Sequence, residues 1–439
     1  MKKFLSLMTV CAMVLSLAAC SKDTASTPST ASDAVVTSAD SANDSTASEP
    51  QSAPAEEAEE IEEIPYVLGG ELTPTMIANS RYNVGNQVRL AGVIRKLQAG
   101  EEVTVAYLGG SITQGTSAGN DLCYARLTTN WLEEQFPEAK VNYVNAGIGA
   151  TGSYIGVHRA DEQVLSYNPD LVFVDFSVND TYDRMDINKS SYESLLRKLW
   201  LSESSPAVVC IAMTQDNGTS VQEQHGEICK KYDIPMISYH DAILDVIAKG
   251  YIKWTDISDD NIHPNVPGHA VLSSLITNYL QSVIDNLDNI SGEESDFSAV
   301  SEAGMKYQNA HFLFSANTEP ASMGGFAIKS GYFCGFDSPW MVRATDGQFT
   351  EEDAIEFEVE AMNIGILYGK LTSNSAKADV YIDGEYRTTL DGDFSGGWGN
   401  YVEFAEIATF ISSGTHTIRI VPQSKDGAAA FYVSAIALS

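Results

Sequence analysis

Ser111 stands where a nucleophile could be presented to a substrate. It follows Gly109 and Gly110, which come directly after the apolar run of residues 103–108. Glycines before a serine at the end of a strand permit a tight turn that leaves the hydroxyl exposed above the sheet. A turn serine that caps the next helix would fit the same residues, so this stretch alone leaves both interpretations open.

Another stretch, Asp260-Asn261-Ile262-His263-Pro264, brings together a carboxylate and an imidazole. Pro264 disfavours a helix at this point, so Asp260 and His263 share one loop and can turn towards each other. A carboxylate that accepts a hydrogen bond from one ring nitrogen orients the other nitrogen as a base. The alternative is an ordinary loop histidine.

Two further stretches offer amide groups that could stabilise a negative charge. Residues 145–152 contain three glycines within six positions, which would bring backbone N–H groups close to a bound group or would simply form a flexible connection. Residues 177–180 include Asn179, whose side-chain amide could point into a cleft, although asparagine is also common in turns.

The elements around these stretches indicate a parallel sheet. Short apolar, β-branched runs alternate with segments that carry apolar residues at the three and four spacing of helices. The runs are residues 103–108, 141–145, 171–176, 207–213 and 235–238, and the helical segments are 121–136, 191–200, 219–232 and 267–287. Uninterrupted apolar strands are typical of a sheet covered on both faces, so residues 66–290 are predicted to form a three-layer α/β domain. Its site should lie at the carboxyl ends of the strands, where the four stretches fall.

In chain order, the four stretches are residues 108–115, 145–152, 177–180 and 260–264. They resemble the first, second, third and fourth sequence blocks of the SGNH/GDSL hydrolase family, and in particular bacterial carbohydrate acetyl-esterases whose first block reads Gly-Gly-Ser-Ile-Thr. The resemblance covers roughly residues 85–290. It implies a flavodoxin-like α/β fold with Ser111 as nucleophile, His263 as general base and Asp260 as the residue that orients it. It also implies an oxyanion hole formed by the Ser111 N–H, a second-block N–H and the Asn179 side chain.

Two positions depart from the family's usual pattern. The second-block donor is usually a glycine, whereas Ala150 stands at that position, beside Gly149. A backbone N–H survives this change, unless the site demands a positive φ, which would cost alanine about 1–2 kcal/mol. In the third block Ser177 replaces the usual glycine. Neither change removes a hydrogen-bond donor.

The resemblance implies an esterase that removes acyl groups, acetyl above all, from carbohydrate through an acyl-enzyme. This chemistry needs neither metal nor organic cofactor. One alternative keeps the Ser-His-Asp arrangement but makes the protein an acyltransferase or a lipid-directed esterase. Another alternative is a non-catalytic glycan-binding protein at the cell surface.

Residues 296–439 lose the helical period and are predicted to form an all-β, jelly-roll-like sandwich. Residues 355–359, 378–382, 415–421 and 429–438 alternate or are rich in β-forming residues, and Asp383-Gly384 is a hairpin-turn signal. Trp340, Trp398 and Tyr401 lie in Gly-, Ser- and Asp-rich stretches, where exposed aromatic rings could stack on sugars. The favoured alternative is that these rings fill the core of the sandwich.

The N-terminus is typical of an exported lipoprotein. Residues 1–19 read as a signal peptide that ends in Leu17-Ala18-Ala19 before Cys20, which would carry lipid. Residues 20–65 are Ser-, Thr-, Ala- and acid-rich and are predicted to be a disordered tether. The protein is therefore expected at the cell surface, anchored through Cys20 alone.

The net charge limits the class of partners, and the spacing of the cysteines limits the metal sites and disulfides that the chain could form. A net charge of −33 argues against nucleic acid and anionic lipid and is compatible with a neutral acetylated polysaccharide or oligosaccharide. Beyond the N-terminal region, the cysteines are scattered without metal-type spacing, and we interpret them as buried thiols with at most one disulfide. They are Cys123, Cys210, Cys229 and Cys334.

Overall fold

The computed structural model describes residues 64–181, 184–299, 302–396, 399–412 and 414–439. The expected signal peptide, the lipidation site Cys20, nearly all of the predicted tether, and Trp398 lie outside these residues. Among the residues described, no helix is both long and apolar enough to cross a membrane.

A parallel sheet forms the centre of the region that carries the four blocks. Its strands within the described residues are β1 (Arg81–Asn83), β2 (Glu102–Gly109), β3 (Lys140–Gly147), β4 (Leu171–Asp175), β5 (Ala207–Ala212) and β6 (Met236–Ser238). They lie in the order β1-β6-β5-β4-β2-β3, with β1 antiparallel at one edge. The five parallel strands have the order of a flavodoxin-like sheet, which confirms the predicted fold.

Helices cover both faces of this sheet. They are α1 (Pro74–Ser80), α2 (Val88–Gln98), α3 (Ser111–Gln114), α4 (Tyr124–Gln135), α5 (Ser153–Gln163), α6 (Met185–Trp200), α7 (Gln222–Lys231), α8 (Tyr239–Ala248), α9 (Trp254–Ile257) and α10 (Val266–Asp285). Successive residues of a strand point to opposite faces. Accordingly, Ala106 and Leu108 of β2 enter one apolar core, and Val105 and Tyr107 enter the other.

The C-terminal region is a β-sandwich, as predicted. It follows the short helix α11 (Glu302–Met305). Its strands are β7 (His311–Leu313), β8 (Ala327–Ile328), β9 (Tyr332–Phe333), β10 (Phe336–Asp337), β11 (Trp340–Ala344), β12 (Ile355–Glu360), β13 (Ile364–Lys370), β14 (Lys377–Ile382), β15 (Glu385–Asp391), β16 (Tyr401–Ala408), β17 (Thr415–Pro422) and β18 (Ala429–Leu438). One sheet has the order β16-β13-β18-β11-β8, with β7 also paired to β18, and the other has the order β12-β17-β14-β15.

Alternating burial in these strands builds the core of the sandwich. Ile355, Phe357 and Val359 of β12 are buried, whereas the residues between them face outwards. The predicted hairpin turn joins β14 to β15, with Asp383 and Gly384 both at positive φ, as a two-residue turn requires.

The sandwich packs against helix α5 of the sheet region. The Tyr154 ring of α5 stacks on the Phe404 ring of β16 with centroids 4.1 Å apart. The same apolar core contains Tyr154 together with Phe312 and Leu367 of the sandwich. The described residues accordingly belong to one compact unit.

Candidate active site

The register of the central strands brings three of the four blocks side by side. Gly109 at the end of β2 pairs with Gly147 of β3 on one side and with Asp175 of β4 on the other. The first and second blocks contain Gly109 and Gly147, and the third block begins two residues after Asp175, so the three blocks lie at the same edge of the sheet.

The fourth block completes a chain of hydrogen bonds with Ser111. His263 Nε2 lies 2.9 Å from Ser111 Oγ, and His263 Nδ1 lies 2.7 Å from Asp260 Oδ2. Both are ordinary hydrogen-bond distances. The three side chains that the sequence singled out thus form one continuous series, from carboxylate through imidazole to hydroxyl.

The loop that carries Asp260 and His263 is fixed by its own hydrogen bonds. Asp260 Oδ1 accepts from the backbone N–H groups of Ile262 and His263, both at 2.7 Å. Burial would raise the pKa of Asp260, but the hydrogen bonds from His263 and Ile262 outweigh it and hold the pKa below its usual value. The carboxylate therefore stays ionised at neutral pH and can orient the ring.

Glycines allow the Ser111 turn to pack closely against the neighbouring strand ends. A Cβ at Gly110 would lie 2.1 Å from Asn179 Oδ1, and one at Gly147 would lie 2.2 Å from Gln114 N. Ser111 is the first residue of the short helix α3, immediately after this turn. The glycines thus bring Ser111 and Asn179 onto adjoining loops.

In the second block, Ala150 has a φ of +58°. The position therefore does demand the left-handed backbone that alanine disfavours. The Gly149 N–H donates to Gln114 Oε1 at 2.9 Å, so of the two neighbouring N–H groups it is the one already engaged. Ala150 N–H remains the candidate donor in this block.

In the third block, Ser177 has a role in holding the loop. Its hydroxyl accepts a 2.6 Å hydrogen bond from Met213 N, and the side chain is fully buried. Asn179, two residues further along the chain, is half-buried and lines the pocket described below.

Three buried polar residues around the site were not identified from the sequence. Arg159 donates to Gly109 O and Ala146 O, so it holds the ends of β2 and β3 together. Asp180 and His225 form a fully buried pair behind the third block. Only the adjacency of Asp180 to Asn179 could have drawn attention to this pair, since His225 reads as an ordinary helix residue.

A pocket of about 250 Å³ opens beside the candidate oxyanion donors. It is lined on one side by Ala150 and Asn179 and on the other by Tyr401, Val402 and Glu403 of the sandwich. Arg184 at its edge forms an ion pair with Glu403 at 2.8 Å. The sandwich therefore contributes side chains to the wall of this pocket.

The remaining candidates differ in placement. Trp340 is completely buried in the sandwich core, whereas Tyr401 is half-buried at the pocket. The cysteines that the sequence identified as buried thiols are free; three are buried, and Cys334 is half-buried.

Comparison with known proteins gives consistent matches. Residues 107–271 match the profile of the GDSL-like lipase/acylhydrolase family. A crystal structure of a two-domain esterase active on acetylated mannans has 30% sequence identity and a TM-score of 0.75, and the match covers 83% of this chain and 98% of that one.

Two curated proteins each match part of the chain. An acetylxylan esterase of Geobacillus stearothermophilus is 24% identical over 211 residues, which is 40% of this chain and 93% of that protein. The thioesterase 1/protease 1/lysophospholipase L1 of Escherichia coli strain K12 is 20% identical over 201 residues, which is 44% of this chain and 91% of that protein. Because a 30% identical esterase matches over nearly its whole length and the family profile spans all four blocks, the chain belongs to the GDSL-like lipase/acylhydrolase family, the SGNH hydrolases.

Proposed function

We propose that this protein is an exported serine esterase that removes acetyl groups from carbohydrate. The observation that carries the proposal is the continuous hydrogen-bonded series from Asp260 through His263 to Ser111, with distances of 2.7 and 2.9 Å. Its chemistry is acyl transfer to a hydroxyl, because an oriented imidazole beside a serine activates that serine as a nucleophile.

In the first half of the reaction, Ser111 Oγ attacks the acetyl carbonyl carbon while its proton passes to His263 Nε2. The carbonyl electrons move onto oxygen and form a tetrahedral oxyanion. The oxyanion then collapses and the bond to the sugar oxygen breaks. His263 gives its proton to that oxygen, so the deacetylated hydroxyl leaves and an acetyl-serine remains.

In the second half, water takes the place of the serine hydroxyl. His263 accepts a proton from water as the oxygen attacks the acetyl-serine, and it returns a proton to Ser111 Oγ when acetate leaves. Asp260 accepts from His263 Nδ1 throughout and stabilises the imidazolium formed in each half.

The oxyanion would be bound by the backbone N–H groups of Ser111 and Ala150 and by the Asn179 side chain. These groups lie on three loops that the parallel strands hold in fixed register. Donors already in place when charge develops stabilise the transition state more than the ground state.

An acetylated polysaccharide or oligosaccharide is the substrate that we infer. The support is the relative active on acetylated mannans and the acetylxylan esterase relative. The Arg184–Glu403 ion pair neutralises charge at the pocket edge, and the overall charge of −33 disfavours a polyanion. Nucleic acid is thus not a partner in this proposal, and no metal or cofactor takes part in the mechanism.

We further infer that the esterase acts at the cell surface, anchored to the membrane through lipid on Cys20. The support is the charged start, short apolar run and small residues before Cys20. An acidic, Ser-rich tether would then hold the enzyme away from the bilayer.

Acetate release from a panel of acetylated mannan, xylan and other polysaccharides tests the proposal. Wild-type protein should release acetate from at least one of them, and Ser111→Ala should reduce kcat by about 10⁴-fold or more. A sugar acceptor and a lysophospholipid in parallel reactions test the transferase and lipid alternatives. Equal acetate release by wild type and Ser111→Ala would refute the proposal.

A further inference from the structure

Asp180 connects two of the loops that would supply oxyanion donors. Its Oδ1 accepts a hydrogen bond from Ser153 N at 2.8 Å, and its Oδ2 lies 2.9 Å from His225 Nε2. Ser153 stands three residues after Ala150, whereas Asp180 directly follows Asn179. One carboxylate therefore links the second block to the third.

This link is shielded from water. The side chains of Asp180 and His225 are both fully buried. Hydrogen bonds in such surroundings are strong, and loss of one partner leaves a costly unpaired group. The separation of the two loops is accordingly fixed by contacts that solvent cannot replace.

Helix α5 depends on Asp180 for its first turn. Gly152, the residue before α5, has no side chain that could cap the helix. Asp180 supplies the missing acceptor from another element, because its carboxyl oxygen accepts from the first N–H of the helix. A Cβ on Gly152 would lie 2.5 Å from Asp180 Oδ1, so the glycine makes this close approach feasible.

His225 is itself held in one orientation. Its ring stacks on the Tyr192 ring with centroids 3.6 Å apart and planes 1° apart. Val221 N, one turn earlier in the chain, donates to Ser177 O at 2.8 Å and so ties this segment to the third block. Asp180 thus meets a rigid donor on one side and the start of α5 on the other.

The left-handed backbone of Ala150 is held by two contacts. The buried Thr151 hydroxyl donates to Ile148 O at 2.7 Å and so closes the turn across Ala150, and Ser153 N, three residues after Ala150, donates to Asp180. A disfavoured backbone conformation persists only where the surroundings determine it from several directions. Asp180 is one of the groups that do so.

We propose that Asp180, supported by His225, is a positioning residue that sets the separation of the Ala150 N–H from the Asn179 side chain. The inference rests on the proposed esterase function. Because the oxyanion exists only in the reaction's tetrahedral states, loosening its donors lowers kcat and leaves KM for the ester nearly unchanged.

Steady-state hydrolysis of 4-nitrophenyl acetate and thermal unfolding of four full-length proteins test this inference. They are wild type, Asp180→Ala, Asp180→Asn and the control Glu193→Ala. Glu193 is also a buried carboxylate, but it lies on α6, where it accepts from Tyr232 OH at 2.6 Å and forms an ion pair with Lys231.

Asp180→Ala should lose about 100-fold in kcat, the loss typical of one oxyanion donor, with KM within about threefold. Asp180→Asn keeps one acceptor oxygen and should lose about tenfold. Glu193→Ala should unfold at a lower temperature while kcat stays within about threefold.

Either of two results would overturn the inference while wild type is active. One is a folded Asp180→Ala protein whose kcat is near wild type or whose loss is confined to KM. The other is an unchanged kcat for Asp180→Asn. This second result decides the matter if the Asp180→Ala protein does not fold. Wild-type protein that hydrolyses no ester would instead refute the proposed function, and the inference would fall with it.

Discussion

Ala150 combines a side chain that disfavours positive φ with a φ of +58°. Replacing it by glycine removes a backbone strain of about 1–2 kcal/mol. The same change stabilises the unfolded chain by about 0.4–1 kcal/mol, because glycine gives that chain more conformational entropy. Ala150→Gly should therefore raise the free energy of unfolding by about 0.5–1 kcal/mol, with kcat changed less than about threefold. Urea unfolding measures the first quantity. A loss of stability would show that the alanine methyl group makes contacts that outweigh the backbone strain.

Asp175, at the end of β4 next to Gly109, is a fully buried carboxyl. Burial raises its pKa to about 7, against the opposing hydrogen bonds from Ser177. The folded protein then holds a proton that the unfolded chain releases near pH 4, so stability should fall as pH rises from about 4 to 7, by at most about 1.4 kcal/mol per pH unit.

Asp175→Asn removes this titration and keeps the shape of the side chain. The stability advantage of the variant over wild type should therefore grow between about pH 4 and pH 7 and level off above that range. Urea unfolding of both proteins at several pH values measures the difference. A difference that does not change with pH would mean that Asp175 has the same pKa in the folded protein as in the unfolded chain, so that burial does not raise it.

The sequence identified those site residues that adjacent residues in the chain mark as candidates. Ser111 stands after two glycines, and Asp260 and His263 share one short loop. Asp180 and His225 stand 45 positions apart in the chain and meet only because the loop after β4 lies against the start of α7. Local pattern carries no information about such a contact.

At the scale of elements, the ends of β2 and β4 approach so closely that Gly110 has no room for a side chain. A methyl group there would lie 2.1 Å from Asn179 Oδ1, which can swing away at little cost in stability. Gly110→Ala should thus displace the Asn179 amide and lower kcat by about 100-fold, with a small change in unfolding temperature.

A glycine with open space around it is the matched control for this variant. Gly92 lies in α2, and a Cβ there would have no neighbour within 4 Å. Gly92→Ala should stabilise the helix by about 1 kcal/mol and leave kcat unchanged. Wild-type activity in Gly110→Ala would argue that Asn179 is not an oxyanion donor.

Apolar patterning predicted the central strands but not every helix. All five predicted strands occur within a few residues of their expected bounds, because buried parallel strands read as continuous apolar runs. Helix α5 was not predicted, since its buried face includes His158 and Arg159 as well as apolar residues. Helix α6 begins at Met185 rather than near residue 191. The apolar pattern missed its first turns because the residues buried there include the polar Asn188 and Ser190.

At the scale of the whole molecule, the sandwich completes the core around α5. A protein that ends at residue 295 would expose the Tyr154 ring, which stacks on Phe404, and would lose Phe297 from between Trp200 and Tyr232. Each large side chain contributes about 1.5–3 kcal/mol on burial. We expect the shortened protein to aggregate or to unfold well below the wild-type temperature.

Size-exclusion chromatography and circular dichroism test this expectation. A monomeric, folded fragment that hydrolyses small esters but no longer binds insoluble glycan would show instead that the sandwich is a separable binding module. The sequence predicted both regions but not their contact. Apolar periodicity shows which face of a strand or helix is buried, but it does not show which other region covers that face.

Mass spectrometry of the protein after reaction with a fluorophosphonate, which phosphonylates activated serines, tests whether Ser111 is the nucleophile. We predict one phosphonyl group per chain, located on Ser111, and none on folded Ser111→Ala or His263→Ala protein. A folded wild-type protein that remains unlabelled, or equal labelling of the Ser111→Ala variant, would contradict this prediction.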